Sequence, residues 1–287
     1  GCPAVERLRS YRPPEPPQIL DAEGELAGQL PGPRRMVVGL DSIPELVREG
    51  YIAVEDRRFR DHDGVDLAGA VRAFVTNFRS GGVEEGASTI TMQLARNVFG
   101  EEVLDYNRWH RKASEIRTAS EIEEQLEKDE ILELYLNQIY LGDGVWGVET
   151  AARAYFGKSA EKLSLSQSSY LAGLIPAPAL YQPGVDGNEA ALARRNYVLR
   201  AMLQEGYVTE EHAEKASERK LRFKTTSDMD RKVSPAAYFL EWIRKDYLYP
   251  HFGECLYTCG LKIHTTLDLA IRHDPSALDR ELGDDRR

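Results

Sequence analysis

From Ile43 to about Ala216 apolar residues recur at helical spacing, and this pattern commits most of a 287-residue chain to an all-α body. Pro44–Asp56 places Leu46, Val47, Tyr51, Ile52 and Val54 on a helix with Asp41 or Ser42 as N-cap and Pro44 in its first turn. The spacing predicts further helices over Asp66–Arg79, Ser88–Asn97, Arg111–Asn137, Val148–Phe156, Ser166–Leu174, Glu189–Gln204 and Thr209–Glu218. Asn188 and Thr209 are read as the openings of the last two. The flanks differ. YRPPEPP (residues 11–17) reads as an extended entry, and QILDAEGELAGQL as a short hairpin turning at Ala22-Glu23-Gly24. After Lys220 the helical period fades, Ala236–Tyr247 reads as one more helix, and Leu261–Leu267 alternates as a strand. Three consecutive parts follow: 1–42 extended and hairpin, 43–216 body, and 217–287 linker plus the start of a further region.

Composition excludes several function classes. With 42% hydrophobic and 29% charged residues the chain is an ordinary folded protein, and its net charge of −10 gives nucleic-acid binding no electrostatic support. No uninterrupted apolar run reaches the roughly 20 residues a membrane helix needs. The opening GCPAVERLRSYRPPEPPQ has neither an initiator Met nor the apolar centre of a signal peptide, which suggests a partial or processed chain. Cys2, Cys255 and Cys259 are too few for a disulfide framework; Cys255 and Cys259 are read as unpaired thiols. The six histidines lack metal-ligand spacing. Ser159-Ala-Glu-Lys162 and Ser217-Glu-Arg-Lys220 fit the S-x-x-K pattern of acyl-serine enzymes, but that pattern is frequent by chance and no K-T-G follows.

Three polar clusters carry candidate chemistry. In EDRRFRDHDGVD (55–66) Glu55 follows Ile52 by three and precedes Phe59 by four. A continuing helix would put it on the apolar face and turn Asp56 and Arg57 away. Burial raises a carboxyl pKa, as a general acid or base near neutral pH requires; a charged helix end tied by Glu–Arg pairs is the plainer alternative. GASTITMQLARN (86–97) places Ser88 and Thr89 at a helix start, where free backbone N–H groups attract phosphate, with Gln93 and Arg96 as added donors, or where the hydroxyls are only caps. In RWHRKASE (108–115) Arg111 and Lys112 precede Glu115 by four and three, so the three share a face as a pyrophosphate clamp or as local ion pairs. Most of the eight acidic residues from Glu115 to Glu133 are read as solvated face.

Taken together, these clusters resemble the motifs of glycosyltransferase family 51, the peptidoglycan glycosyltransferase domain of class A penicillin-binding proteins and monofunctional transglycosylases. The resemblance extends through KDEILELYLNQIYLGDGVWGVETAARAYFGK (128–158), LSLSQSSYLAGLIPAPALYQP (163–183) and RRNYVL (194–199), and covers roughly residues 11–272. It implies a mostly α, lysozyme-like glycosyltransferase domain (43–216) with a head and a membrane-facing jaw, flanked by short β elements, with 1–42 as a juxtamembrane segment and 217–287 as a linker and the start of a truncated transpeptidase region. The implied activity is polymerisation of lipid II into glycan strands, by inverting transfer that releases undecaprenyl pyrophosphate.

On this resemblance Glu55 is the general base and Glu115 aids the leaving pyrophosphate or orients the donor, through a metal or the nearby cations. Asp56, Arg58, Phe59 and His62 match first-motif positions, Ser88, Thr89, Gln93 and Arg96 second-motif positions, and Arg108, Arg111 and Lys112 the basic group before the second glutamate. Met92 stands where the family often has a second glutamine, and Arg96 where lysine is common. No cofactor is required, although a divalent Mg or Mn is allowed. The implied partners are lipid II, the growing glycan, membrane lipid and other cell-wall synthesis proteins, with no nucleic acid. The implied location is the outer face of the bacterial cytoplasmic membrane, reached by an anchor outside these residues. The rival functions are a lysozyme-like glycan-cleaving enzyme and a catalytically silent cell-wall scaffold.

Overall fold

A computed structural model describes residues 8, 11, 13, 17–29, 34–69, 71, 88–99, 108–183, 189–224, 237–253 and 261–268. All three cysteines, most of the predicted 66–79 helix, Gly86, Ala87 and Asn188 lie outside the described residues, as do the side chains of Arg108 and Trp109. Contacts group the chain into two compact units, residues 1–13 with 36–224 and residues 14–35 with 225–287.

The larger unit is helical. Among the described residues its α-helices are α1 (Glu45–Glu55), α2 (Ile90–Val98), α3 (Arg108–Glu123), α4 (Lys128–Gln138), α5 (Val148–Phe156), α6 (Leu165–Gly173), α7 (Pro178–Tyr181), α8 (Glu189–Gln204) and α9 (Glu210–Glu218). Pro44, not Asp41 or Ser42, is the N-cap of α1, because Leu40–Ser42 already form a 3-10 turn. Thr89 caps α2 and Thr209 caps α9, each hydroxyl accepting the N–H of the residue three positions on. The core is built from Tyr51 of α1, Leu94 of α2, Tyr135 of α4, Tyr155 of α5, Tyr170 of α6 and Met202 of α8, with their aliphatic neighbours.

The single helix expected over 111–137 is two helices. The apolar period continues across the break because Leu126 is buried in the core, which conceals the interruption. Glu127 is extended (φ −72°, ψ 155°) and forms a reciprocal capping box with Glu130, so α4 starts afresh. Gly64 sets another constraint. At φ +89° it takes a conformation that favours glycine, and a Cβ there would stand 2.9 Å from the Ala119 carbonyl oxygen. The loop after α1 therefore lies directly on the α3 backbone.

In the smaller unit β1 (Gln18–Leu20) and β2 (Leu26–Gln29) form the expected hairpin, closed by Asp21, whose carboxylate accepts the N–H groups of Glu23 and Glu25. Strand β3 (Lys262–His264) joins β1 in parallel, with Ile19 opposite Ile263. The helix expected over 236–247 is α10 (Ala237–Ile243), which continues through a π-helical turn (Arg244–Leu248) into α11 (Tyr249–Phe252). Ile19, Ala27, Leu240 and Leu248 form this unit's own core. Among the described residues no helix is long and apolar enough to cross a membrane.

Candidate active site

Glu55 is the last residue of α1, beyond the buried turn Tyr51-Ile52-Ala53. It is half-buried, and its Oε2 accepts a 2.8 Å hydrogen bond from the Gln93 amide on α2. The Gln93 carbonyl in turn accepts the Tyr135 hydroxyl at 3.3 Å. Burial pushes the Glu55 carboxyl above its ordinary range; the Gln93 hydrogen bond and the charges of Arg194 and Arg96 oppose that rise, while Asp56 adds to it. The Tyr51 hydroxyl, one turn earlier, is buried without a hydrogen-bond partner.

Asp56 does not turn away as the helical reading expected. The helix stops at Glu55, Asp56 adopts φ −161°, and its side chain is buried. Both carboxylate oxygens lie 3.0 Å from His62 Nε2, and Oδ2 also accepts the Ile90 N–H at 3.0 Å, at the positive end of α2. Phe59 is buried through a 3-10 turn rather than a continued helix, and its ring lies 4.7 Å from Lys128 Nζ. Lys128 also donates to the His62 carbonyl and to Glu123, which accepts Thr91 Oγ1 as well. The helix break thus returns a cation to the first cluster. Arg58 is engaged by Asp66 at 3.1 Å and Asp61 at 3.9 Å.

Glu115 of α3 is 3% exposed, yet three cations surround it: Lys112 at 3.3 Å, Arg96 at 3.8 Å and Arg111 at 3.9 Å. Each of those cations remains about 40% exposed, so donors not used on Glu115 face solvent. Lys112 also donates to Ser88 Oγ at 2.9 Å, and Thr89 donates to the Gly64 carbonyl at 2.6 Å. Arg96 joins the two carboxylates, acting on Glu55 while lying against Glu115. Nor are Glu123 and Glu133 simply solvated: Glu123 pairs with Lys128, and Glu133 accepts the Leu40 N–H at 2.7 Å.

Glu55, Asp56, His62, Ser88, Thr89, Gln93, Arg96, Arg111, Lys112 and Glu115 therefore fall in one linked cluster. Arg58 is held apart by its acid pair, and the side chain of Arg108 lies outside the described residues. Sequence reasoning omitted Tyr51, Tyr135, Lys128 and Arg194 as site residues; Arg194 stood in the RRNYVL block without a partner to mark it. Among the described residues no three His, Cys, Asp or Glu gather as a metal site. With three cations already on Glu115, the described residues around that carboxylate do not fit a protein-held divalent ion. A half-buried carboxylate beside a cation-ringed one suits proton removal from a hydroxyl next to a departing anion.

Residues 23–203 match the family described as Transglycosylase. The chain is 44% identical over 271 residues to penicillin-binding protein 1A of Aquifex aeolicus, covering 94% of this chain and 36% of that protein. With penicillin-binding protein 1A of Neisseria gonorrhoeae it is 40% identical over 266 residues, covering 92% and 32%. The chain thus spans about a third of the length of these curated relatives. The 2.6 Å crystal structure of penicillin-binding protein 1A from Haemophilus influenzae superposes with a TM-score of 0.51 at 27% identity, covering 90% of this chain and 28% of that one.

Proposed function

The chain belongs to the transglycosylase family, glycosyltransferase family 51, and from that premise we propose that it polymerises lipid II by inverting glycosyl transfer. The observation that carries the reading is the link through Arg96 between a desolvated carboxylate, Glu55, and a buried carboxylate ringed by exposed cations, Glu115. Glu55 takes the proton of the acceptor 4-hydroxyl. The oxygen then attacks the anomeric carbon of the lipid-linked chain; the new C–O bond forms as the bond to pyrophosphate breaks, and undecaprenyl pyrophosphate leaves with the electron pair.

The leaving group gathers negative charge, and Arg96, Arg111 and Lys112 are placed to receive it. Glu115 is too buried to be the main contact, so its role is to hold those cations converged. Asp56 and His62 fasten the base's helix to α2, which carries Gln93 and Arg96. Because the donor and acceptor are lipid-linked, the working location we propose is the outer face of the cytoplasmic membrane, with membrane lipid and other wall-synthesis proteins as partners.

The test is incubation with labelled lipid II. Polymer is expected, and Glu55→Gln should lower the rate about 100-fold or more, the range of general-base catalysis. Shortening of a preformed glycan without polymer would favour a glycan-cleaving enzyme, and neither product a silent scaffold. An Glu55→Gln variant as fast as wild type would remove the proposed base.

A further inference from the structure

At the N-terminal end of α1, away from the carboxylate cluster, the larger unit holds a hollow of about 410 Å³. Leu46 of α1, Leu165 of α6, Val208 just before α9 and Ala216 within α9 give it an apolar lining. Leu46 lies nine residues before Glu55, roughly 13 Å along the helix at about 1.5 Å per residue, so the hollow is separate from the site described above. Its volume is near the lower end of the roughly 300–1,000 Å³ of ligand sites, with room for one or two side chains and not for a long acyl chain.

The rim is basic, and the sequence of α9 shows why. With about 3.6 residues per turn, EEHAEKASE turns Ala213 and Ala216 to the core, where both are buried, and gathers Glu210, Glu211, Glu214 and Glu218 on the outer side. His212, Lys215 and Arg219, the residue that ends the helix, fall between the two in one exposed row along the mouth of the hollow. Among the described residues that line the hollow none is acidic, in a chain whose net charge is −10. Lys215 meets Glu211 in an exposed ion pair, which is worth little and readily exchanged. Among the described residues neither the His212 ring nor the Arg219 guanidinium has a carboxylate partner.

Both ends of the row are held. Thr209 Oγ1 accepts the His212 N–H at 3.3 Å, and the Arg219 carbonyl accepts Arg195 Nη1 at 2.9 Å. Arg195 is itself buried, and its other bonds go to Ser166, Asn196 and Ser217 rather than to an acid. A row fixed before a partner arrives loses little freedom on binding. Its shape also selects the partner. From His212 to Arg219 the helix rises about 10 Å, whereas a single phosphate or lipid headgroup is held by donors that converge on one point. An extended peptide advances about 3.3 Å per residue, so its carboxylates meet the row in turn while one apolar side chain enters the hollow. We propose that this hollow docks an acidic segment of a partner protein, which seats an apolar side chain on Leu46, Leu165 and Val208 and lays carboxylates along His212, Lys215 and Arg219. The proposal does not depend on the reading of Glu55 as the base.

Fluorescence anisotropy of a labelled peptide with three glutamates on either side of one leucine, titrated with the whole chain, tests it. Saturable binding is expected. The same peptide with serine for leucine should bind about tenfold or more weakly, and one with glutamines for all the glutamates should not bind. Lys215→Glu with Arg219→Glu should weaken the leucine peptide at least tenfold, whereas Arg117→Glu, an exposed change of the same sign on α3, should leave it within about twofold. The two peptide controls read the wild-type chain alone, so they decide the matter even if the double variant does not fold. Equal binding of the leucine and serine peptides overturns the proposal, as does an equal loss in Arg117→Glu, which would make the attraction diffuse. Two other occupants would also overturn it. One is lipid, shown by binding to phosphatidylglycerol vesicles but not to the peptide; the other is a second copy of the chain, shown by self-association in sedimentation that the double variant abolishes.

Discussion

Glu55 shows what the site costs the fold. Its carboxyl is raised chiefly by burial, so the folded chain binds that proton more tightly than the unfolded chain does. As pH climbs from the unfolded value through the folded one, the unfolded chain releases its proton first and stability falls, the loss being complete above the folded value. Glu55→Gln cannot titrate. It should melt higher than wild type at neutral pH, with the difference shrinking as pH falls below the ordinary carboxyl range; thermal unfolding at a series of pH values measures this. At this scale sequence was a good guide wherever spacing along one helix decides contact, as for Arg111, Lys112 and Glu115. It was a poor guide to Asp56, because which way a side chain points at a helix end depends on where the helix stops. It quoted Arg194 within the RRNYVL block but gave no sign that its charge bears on Glu55, 139 positions earlier.

Among elements, the decisive joint is between α1 and α2. Asp56 closes the first helix's exit, receives the His62 ring and caps Ile90, so one carboxylate sets where Glu55 stands relative to Gln93. Asp56→Ala leaves the Ile90 N–H and His62 Nε2 buried without their acceptor and should cost roughly 2–6 kcal/mol at about 1–3 kcal/mol per orphaned group, read as a shift in urea midpoint at constant slope. Asp56→Asn keeps an acceptor and should lose less. Most helices of the body were legible as apolar periods, and α8 (Glu189–Gln204) falls on its expected bounds. The break between α3 and α4 was not legible, because Leu126 preserves the period while Glu127 and Glu130 end one helix and begin another. A capping box written in two glutamates looks, in a run of acids, like more solvated surface.

For the molecule as a whole, two separate cores predict two unfolding events. Ile19 is fully buried among Ala27, Leu240 and Leu248, while the helical unit has its own core. Ile19→Ala should lower one calorimetric transition, by roughly 2–5 kcal/mol in that unit's stability, and leave the midpoint of the other in place. A single transition shifted as one would show that the units unfold together. The hairpin and the late strand were each visible as alternation, but their partnership was not, since strand pairing across a whole chain leaves no local mark. That partnership also has a schedule. Leu20 waits for Thr265, 245 positions later, and at about 5–20 residues per second a ribosome needs roughly 12–50 s to deliver it. Throughout that interval one edge of the newborn hairpin is exposed while the helices of the larger unit, complete by Lys224, have time to fold ahead of it.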